Sequence, residues 1–162
     1  MSQYYISVGS NMGDRLSHIR YAAMALEKHA IEVLAKSRIY ETVPWGNTDQ
    51  DLFLNAAFLV EWDGKPEILL RELLIIERER GRRRSSKWAS RTLDLDLIFA
   101  EDVVSNTDKL RLPHPLALQR AFVLIPLADI NPDMQIDGVS ICKRISELNG
   151  YEDVKLISES WE

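Results

Sequence analysis

The 162-residue sequence contains a single cysteine, Cys142, so an internal disulfide is impossible. All of its apolar runs are far shorter than the ~20 residues that a membrane-spanning helix needs. Internal repeats, low-complexity segments and linkers are also missing, and residues 3–8 read as a strand and not as part of a secretion signal. We therefore expect a cytoplasmic, monomeric protein without a membrane partner, whose one domain spans residues 1–162.

The net charge of −5 is unevenly distributed along the chain. Residues 78–91 carry seven positive charges and one negative charge, which leaves the remainder strongly acidic. An acidic remainder repels a long polyanion, so we expect no nucleic-acid partner, whereas a local basic segment suits a small anion such as a nucleoside triphosphate. From charge alone, a solvated basic loop is an equally good interpretation of this segment.

The hydrophobic pattern predicts alternating strands and helices in the order β-α-β-β-α-β. The predicted strands cover 3–8, 31–42, 52–62 and 93–100, and the predicted helices cover 14–29 and 66–81. This order is typical of the ferredoxin-like split βαβ arrangement, an α+β fold in which helices pack on an antiparallel sheet. A hairpin near 103–112 and helices near 118–129 and 140–148 follow, and the last dozen residues show no clear pattern.

The last of these strands alternates leucine with aspartate. Side chains two residues apart share one face of a strand, so Leu93, Leu95 and Leu97 face the core while Asp94 and Asp96 point together to the other face. Their Cα atoms should lie ~6.5 to 7 Å apart, and two carboxylates at that separation repel by roughly 3 kcal/mol at an effective dielectric constant of 20. A hard divalent cation such as Mg²⁺ removes this repulsion.

A solvent-facing edge of an ordinary amphipathic strand explains the two aspartates equally simply, and the strand taken alone favours that reading. The neighbouring cations change the balance. Arg91 stands three residues before Asp94, and a run of arginines, Arg82 to Arg84, lies just upstream. Arginines that match phosphate oxygens and a carboxylate pair that holds a metal are the two components that phosphoryl transfer requires.

The segment from Lys87 to Ile98, KWASRTLDLDLI, resembles the signature of the 6-hydroxymethyl-7,8-dihydropterin pyrophosphokinase family. Further segments resemble this family in the same order along the chain: Gly9-Ser10-Asn11, residues 53–57, Glu77 with residues 81–84, Pro113-His114 and residues 120–127. The resemblance implies the ferredoxin-like fold. It also implies an enzyme of folate biosynthesis that transfers the β,γ-pyrophosphate of ATP to the hydroxymethyl group of the reduced pterin and releases AMP.

The same resemblance assigns roles to individual residues. It implies that Asp94 and Asp96 hold two Mg²⁺ ions that bridge the triphosphate. The residues implied to contact or close over ATP are Arg82, Arg84, Arg91, Glu77, Trp88, Lys109, His114 and Arg120. Those implied to bind the pterin are Phe53 and Phe122, which would sandwich the ring, and Asn55 with Thr42, Val43 and Trp45, which would read its polar edge.

Without the resemblance, several of these residues have simpler explanations. Phe53 and Phe122 read as ordinary core aromatics, and His114 reads as a turn residue. Asn55 lies in a strand among small apolar residues, where a buried amide needs hydrogen-bonding partners. Either a ligand or a backbone bulge could supply them.

Two other functions fit parts of the sequence. A nucleotidyltransferase shares a Gly-Ser turn and an Asp-x-Asp pair, but here these motifs lie more than eighty residues apart. An RNA-binding module of ferredoxin-like fold would use a basic loop and an exposed aromatic such as Trp88, but the acidic remainder of the chain argues against it.

Overall fold

A six-stranded antiparallel sheet forms the centre of the chain. The computed structural model describes residues 1–42, 52–81, 92–149 and 153–161. The strands of this sheet are β1 (Ser2–Ser10), β2 (Glu32–Lys36), β3 (Ile39–Thr42), β4 (Phe53–Trp62), β5 (Asp94–Phe99) and β10 (Lys155–Ser158). The helices are α1 (Arg15–Lys28), α2 (Pro66–Glu79), α3 (Ala121–Ile130) and α4 (Ile141–Glu147). Two small hairpins, β6 (Ser105–Asn106) with β7 (Arg111–Leu112) and β8 (Gln135–Ile136) with β9 (Val139–Ser140), and a 3-10 turn (Ala117–Gln119) complete the described elements.

The strand order across the sheet is β10-β3-β4-β1-β5, and β2 also pairs with β4. The inner order β3-β4-β1-β5 with α1 and α2 as the connecting helices is the split βαβ arrangement, so the predicted ferredoxin-like α+β fold is confirmed. Both helix starts follow the sequence signals, since Asp14 accepts a hydrogen bond from the Ser17 amide at 3.1 Å and Pro66 opens α2.

The prediction of one strand over 31–42 is wrong, because the strand is divided at Ser37 and Arg38. The Ser37 hydroxyl accepts a hydrogen bond from the Ala57 amide at 2.8 Å and donates to the Arg38 carbonyl at 2.7 Å. At this point the Ala57 amide of β4 therefore bonds the Ser37 side chain, and the regular backbone ladder between the strands is interrupted. Sequence reasoning also missed the hairpin β8–β9 and the last strand, β10.

The two faces of the sheet bury separate cores. Alternate residues of the central strands, such as Ile6 and Phe58, pack under α1 and α2. On the opposite face Tyr5, Ala57 and Ile98 pack against α3. In the described part of the chain, no helix combines the length and hydropathy needed to cross a membrane.

Candidate active site

The aspartate pair lies on β5, at the edge of the sheet. Asp94 pairs in register with Gly9 of β1, and Asp96 pairs with Ser7. Both carboxylate residues are half-buried, while Leu95 between them is buried in the core under α1 and α2. The predicted alternation is therefore confirmed, and the two aspartates share the face of the sheet that carries α3.

Glu77 of α2 holds the backbone between the two aspartates. Its side chain is 3% exposed, and Oε2 accepts a hydrogen bond from the Leu95 amide at 2.7 Å. β5 is the edge strand of the sheet, and within the described residues no strand pairs with its outer side. The Glu77 carboxylate supplies an acceptor for the Leu95 amide, and so it fixes the backbone on which Asp94 and Asp96 are mounted.

Asn55 lies two strands away from Asp94, in the same row across the sheet. The register pairs Asn55 with Gly9 on one side and with Tyr40 on the other, and neither pairing is shifted there. The alternative explanation of Asn55 as part of a bulge is therefore wrong. Its amide nitrogen donates to the Thr42 hydroxyl at 2.6 Å, and both residues are 4% exposed. The structure thus brings together two of the residues predicted to read the pterin.

Gly9 leaves space beside this pair. A Cβ atom built on Gly9 would lie 3.1 Å from Asn55 Oδ1 and 3.5 Å from Phe53 Cδ1. The amide oxygen of Asn55 and the ring of Phe53 therefore border the same gap on the sheet surface. Phe53 and Phe122 are each half-buried, so neither ring is closed off in the core. Phe122 packs at the margin of the core beneath α3.

His114 and Arg120 lie close to Asp94. The backbone amide of His114 donates to the Ile98 carbonyl of β5 at 2.8 Å, and its ring Nδ1 accepts a hydrogen bond from the Leu116 amide at 3.1 Å. Burial lowers the pKa of His114, and the Arg120 guanidinium lowers it further, while Asp94 opposes both effects. His114 is therefore neutral at neutral pH, with its proton on Nε2. It is not simply an exposed turn residue.

Arg120 immediately precedes α3, and its Cζ lies 5.8 Å from the ring centroid of Phe122. The arrangement joins the predicted nucleotide side, Arg120 and His114, to the predicted pterin side at Phe122. Lys109, by contrast, is exposed in the turn of the β6–β7 hairpin. The other predicted residues, Val43, Trp45, Arg82, Arg84, Trp88 and Arg91, lie outside the described residues, and their roles stay predictions.

An ion-pair cluster that sequence reasoning missed fixes α3 on the sheet. Arg38 donates to both carboxylate oxygens of Asp129 at 3.2 and 3.0 Å, and the Tyr40 hydroxyl donates to Oδ2 at 2.7 Å. Burial would raise the pKa of Asp129, but the hydrogen bonds from Arg38 and Tyr40 outweigh it and lower the pKa. Burial and the bond to Asp129 raise the pKa of Tyr40 to about 12. In the sequence Asp129 carries no signal of this role, because an aspartate near a helix end is ordinarily solvated.

Comparison with known proteins gives the family. The sequence profile of 7,8-dihydro-6-hydroxymethylpterin-pyrophosphokinase matches residues 5–132. The chain belongs to this family. It is 39% identical over 158 residues to 2-amino-4-hydroxy-6-hydroxymethyldihydropteridine pyrophosphokinase of Methylorubrum extorquens. The match covers 96% of this chain and 100% of the relative. The enzyme of the same description from Bacillus subtilis is 41% identical over 137 residues, covering 84% of this chain and 82% of the relative.

Some relatives are much longer than this chain. The folic acid synthesis protein fol1 of Pneumocystis carinii is 39% identical over 150 residues, and the match covers 91% of this chain but 20% of that protein.

Among solved structures, the Plasmodium falciparum HPPK-DHPS A437G variant with SDX-DHP matches with a TM-score of 0.77 at 14% identity, covering 96% of this chain and 49% of that one. At this identity the structural match supports the fold alone.

Membership of this family confirms the central expectation from sequence, a pyrophosphokinase of folate biosynthesis that uses ATP as co-substrate. It also decides against the two rival readings, the nucleotidyltransferase and the RNA-binding module.

Proposed function

We propose that the chain transfers the pyrophosphoryl group of ATP to the hydroxymethyl oxygen of 6-hydroxymethyl-7,8-dihydropterin at a magnesium site formed by Asp94 and Asp96. One observation carries this proposal. Asn55, Gly9 and Asp94 form a continuous row across three neighbouring strands. With strands ~4.8 Å apart, the amide that would hold the pterin and the first metal-binding carboxylate are mounted roughly 10 Å apart. A bicyclic ring bound at Asn55 can therefore reach phosphates bound at Asp94.

The residues present fit magnesium. Asp94 and Asp96 offer carboxylate oxygens, which are the ligands that Mg²⁺ prefers, and the half-buried setting strengthens their electrostatic field. Within the described ranges, no group of three His, Cys, Asp or Glu side chains comes together to hold a metal. Two carboxylates are what Mg²⁺ usually takes from a protein when phosphate oxygens complete its coordination, and we infer two ions. When bound, magnesium would neutralise charge on the phosphates and make the hydroxyl of the pterin more acidic.

The chain's own residues would position the two substrates. Asn55 and Thr42 would read the polar edge of the pterin, and Phe53 and Phe122 would hold its ring. Arg120 would pair with phosphate oxygens, and the neutral His114 would donate through Nε2–H on the same side. Together these contacts would align the hydroxymethyl oxygen with the β-phosphorus, so that AMP leaves in line with the attack.

The aspartates give the first test. Asp94→Asn and Asp96→Asn keep the side-chain shape but remove the charge that binds the metal. Each variant should lower kcat for AMP formation from ATP and hydroxymethyl-dihydropterin by roughly a hundredfold or more, about 3 kcal/mol of barrier. Mn²⁺ binding, followed by electron paramagnetic resonance in the presence of an ATP analogue, should weaken in parallel. Omission of Mg²⁺ should abolish turnover of the unmodified chain.

A matched control is Asp133→Asn, because Asp133 is exposed and far along the sequence from β5. It should keep full activity and metal binding. Wild-type turnover by Asp94→Asn with intact Mn²⁺ binding would overturn the metal assignment. Transfer of AMP to the pterin instead of its release would overturn the proposed reaction.

A further inference from the structure

Arg15, the first residue of α1, contacts the ends of two neighbouring strands. The Nη1 atom of Arg15 donates to the Leu52 carbonyl at 2.7 Å, and its Nη2 atom forms an ion pair with Glu41 Oε2 at 2.9 Å. Glu41 belongs to β3, and Leu52 immediately precedes β4. One guanidinium therefore ties the end of β3 to the start of β4.

These two attachment points adjoin the predicted pterin contacts. Glu41 directly precedes Thr42, and Leu52 directly precedes Phe53. Thr42 and Phe53 are themselves partners in the β3–β4 register. Any opening of the strand pair here would separate the Thr42 hydroxyl from the Asn55 amide, which are now 2.6 Å apart.

Arg15 acts from the face opposite to the site. Neighbouring residues of a strand point to opposite faces, and Tyr40 and Thr42 lie on the α3 side. Glu41 therefore points toward α1, where Arg15 meets it. A guanidinium on this side has no access to a ligand held by Asn55, so its effect must pass through the strands.

The strand pair needs such support. β3 has four residues, and only three of its positions, Tyr40, Glu41 and Thr42, pair with β4. A ladder of three pairs opens more readily at its end than in its middle, because the last pair has a neighbouring pair on one side only. A charged donor that bonds a carboxylate on one strand and a carbonyl on the other opposes that opening.

We propose that Arg15 is a positioning residue that sets the affinity for the pterin by holding the β3 and β4 ends in register. This inference rests on the proposed pterin site. Arg15→Gln should raise the KM for hydroxymethyl-dihydropterin about five- to tenfold and leave the KM for ATP and kcat near their original values. Arg15→Lys keeps the charge but cannot span both acceptors. Its KM for the pterin should lie between those of the unmodified chain and Arg15→Gln. Direct titration of the pterin in the presence of an ATP analogue should show the same order of dissociation constants.

Arg20→Gln is the matched control, because Arg20 lies on the same helix and bonds a backbone carbonyl, that of Ser160, at 3.4 Å. It should leave all three kinetic constants unchanged. Should Arg15→Gln fail to fold, Glu41→Gln removes the ion pair from the other side and must give the same selective rise in the pterin KM. An unchanged pterin KM in Arg15→Gln, or an equal rise in both KM values, would overturn the inference.

Asn55→Ala separates this inference from the site on which it depends. If Asn55→Ala leaves the pterin KM at the wild-type value, the proposed pterin site itself fails. If Asn55→Ala raises that KM and Arg15→Gln does not, the positioning role alone fails.

Discussion

At the scale of single residues, Gly9 has no side chain at a position that adjoins two residues proposed to bind the pterin. Gly9 lies between Asn55 and Asp94 in the row across the sheet. The space that it leaves is bordered by the amide oxygen of Asn55 and the ring of Phe53. Asn55 cannot easily move away, because it is buried and bonded to Thr42.

The substitution Gly9→Ala tests this space. The new Cβ would lie 3.1 Å from Asn55 Oδ1, a distance at which one of the two groups must shift. We expect the pterin KM to rise about tenfold and the free energy of unfolding to fall by about 1 to 2 kcal/mol. Steady-state kinetics and urea denaturation measure the two effects.

Comparison with Asn55→Ala isolates the cause. Once the amide is removed, adding the methyl group at residue 9 should have little further effect on the pterin KM, because the two residues act through one contact. Additive effects of Gly9→Ala and Asn55→Ala would show that the methyl group acts elsewhere.

At the scale of elements, a histidine joins the end of α1 to α2. His29 follows the last turn of α1, and its Nδ1 and Nε2 atoms lie 2.7 Å from Glu72 Oε2 and 2.9 Å from Glu79 Oε1. Both contacts are hydrogen bonds only when the ring is protonated on both nitrogens. The hydrogen bond to Glu72, supported by the one to Glu79, raises the pKa of His29 in spite of partial burial.

This contact makes stability depend on pH with a definite sign. Because the folded pKa lies above the ordinary value of 6.5, the contribution of His29 is complete below pH 6.5 and is lost as the pH rises through the raised pKa. His29→Gln should therefore lower the free energy of unfolding by about 1 kcal/mol near pH 6 and by clearly less near pH 9. Urea denaturation at the two pH values measures the difference.

His18 provides the comparison on the same helix. Burial, followed by the Arg80 guanidinium 2.8 Å from Nδ1, lowers the pKa of His18. The loss caused by His18→Gln should therefore not grow as the pH falls. A loss in His29→Gln that is the same at both pH values would refute the role of the imidazolium.

At the scale of the whole molecule, the C-terminal segment closes the sheet at the edge opposite to the aspartates. β10 pairs with β3, and Trp161 donates from Nε1 to the Ser37 carbonyl at 2.8 Å. The ring centroids of Trp161 and Phe58 lie 5.2 Å apart. The Nζ atom of Lys36 lies 5.5 Å from the ring centroid of Trp161. Trp161 thus covers the point at which β2 and β3 are interrupted.

Trp161→Ala should consequently affect stability more than catalysis. We expect a loss of about 2 to 3 kcal/mol in the free energy of unfolding, below the value for a fully buried tryptophan, and nearly unchanged kinetic constants. Leu156→Ala is the control within β10, since Leu156 is 46% exposed and should cost under about 1 kcal/mol. Loss of pterin affinity with unchanged stability in Trp161→Ala would contradict this division of roles.

The parts of the fold that were predicted correctly are those set by local patterns. The alternation of leucine and aspartate along β5, the helical spacing of α1 and α2 and the residues at which these two helices begin are all properties of short windows of sequence. The break at Ser37, by contrast, depends on the Ala57 amide twenty residues away, and β10 becomes a strand only because β3 offers it an unpaired edge. No local window contains either partner.

The candidate site likewise has features that the sequence predicts and features that only the tertiary structure shows. By itself the sequence determined that Asp94 and Asp96 share one face, that a basic segment shortly precedes them in the chain and, through its motifs, which family the chain belongs to. Only the tertiary structure decided that Asn55 and Asp94 stand in one row on either side of Gly9, that Glu77 holds the backbone between the aspartates and that Arg15 joins the ends of β3 and β4. These relations join residues that lie between 18 positions apart, as Glu77 and Leu95 do, and 85 positions apart, as Gly9 and Asp94 do. They exist because strand register and helix packing bring distant residues together, and a local pattern cannot encode that proximity.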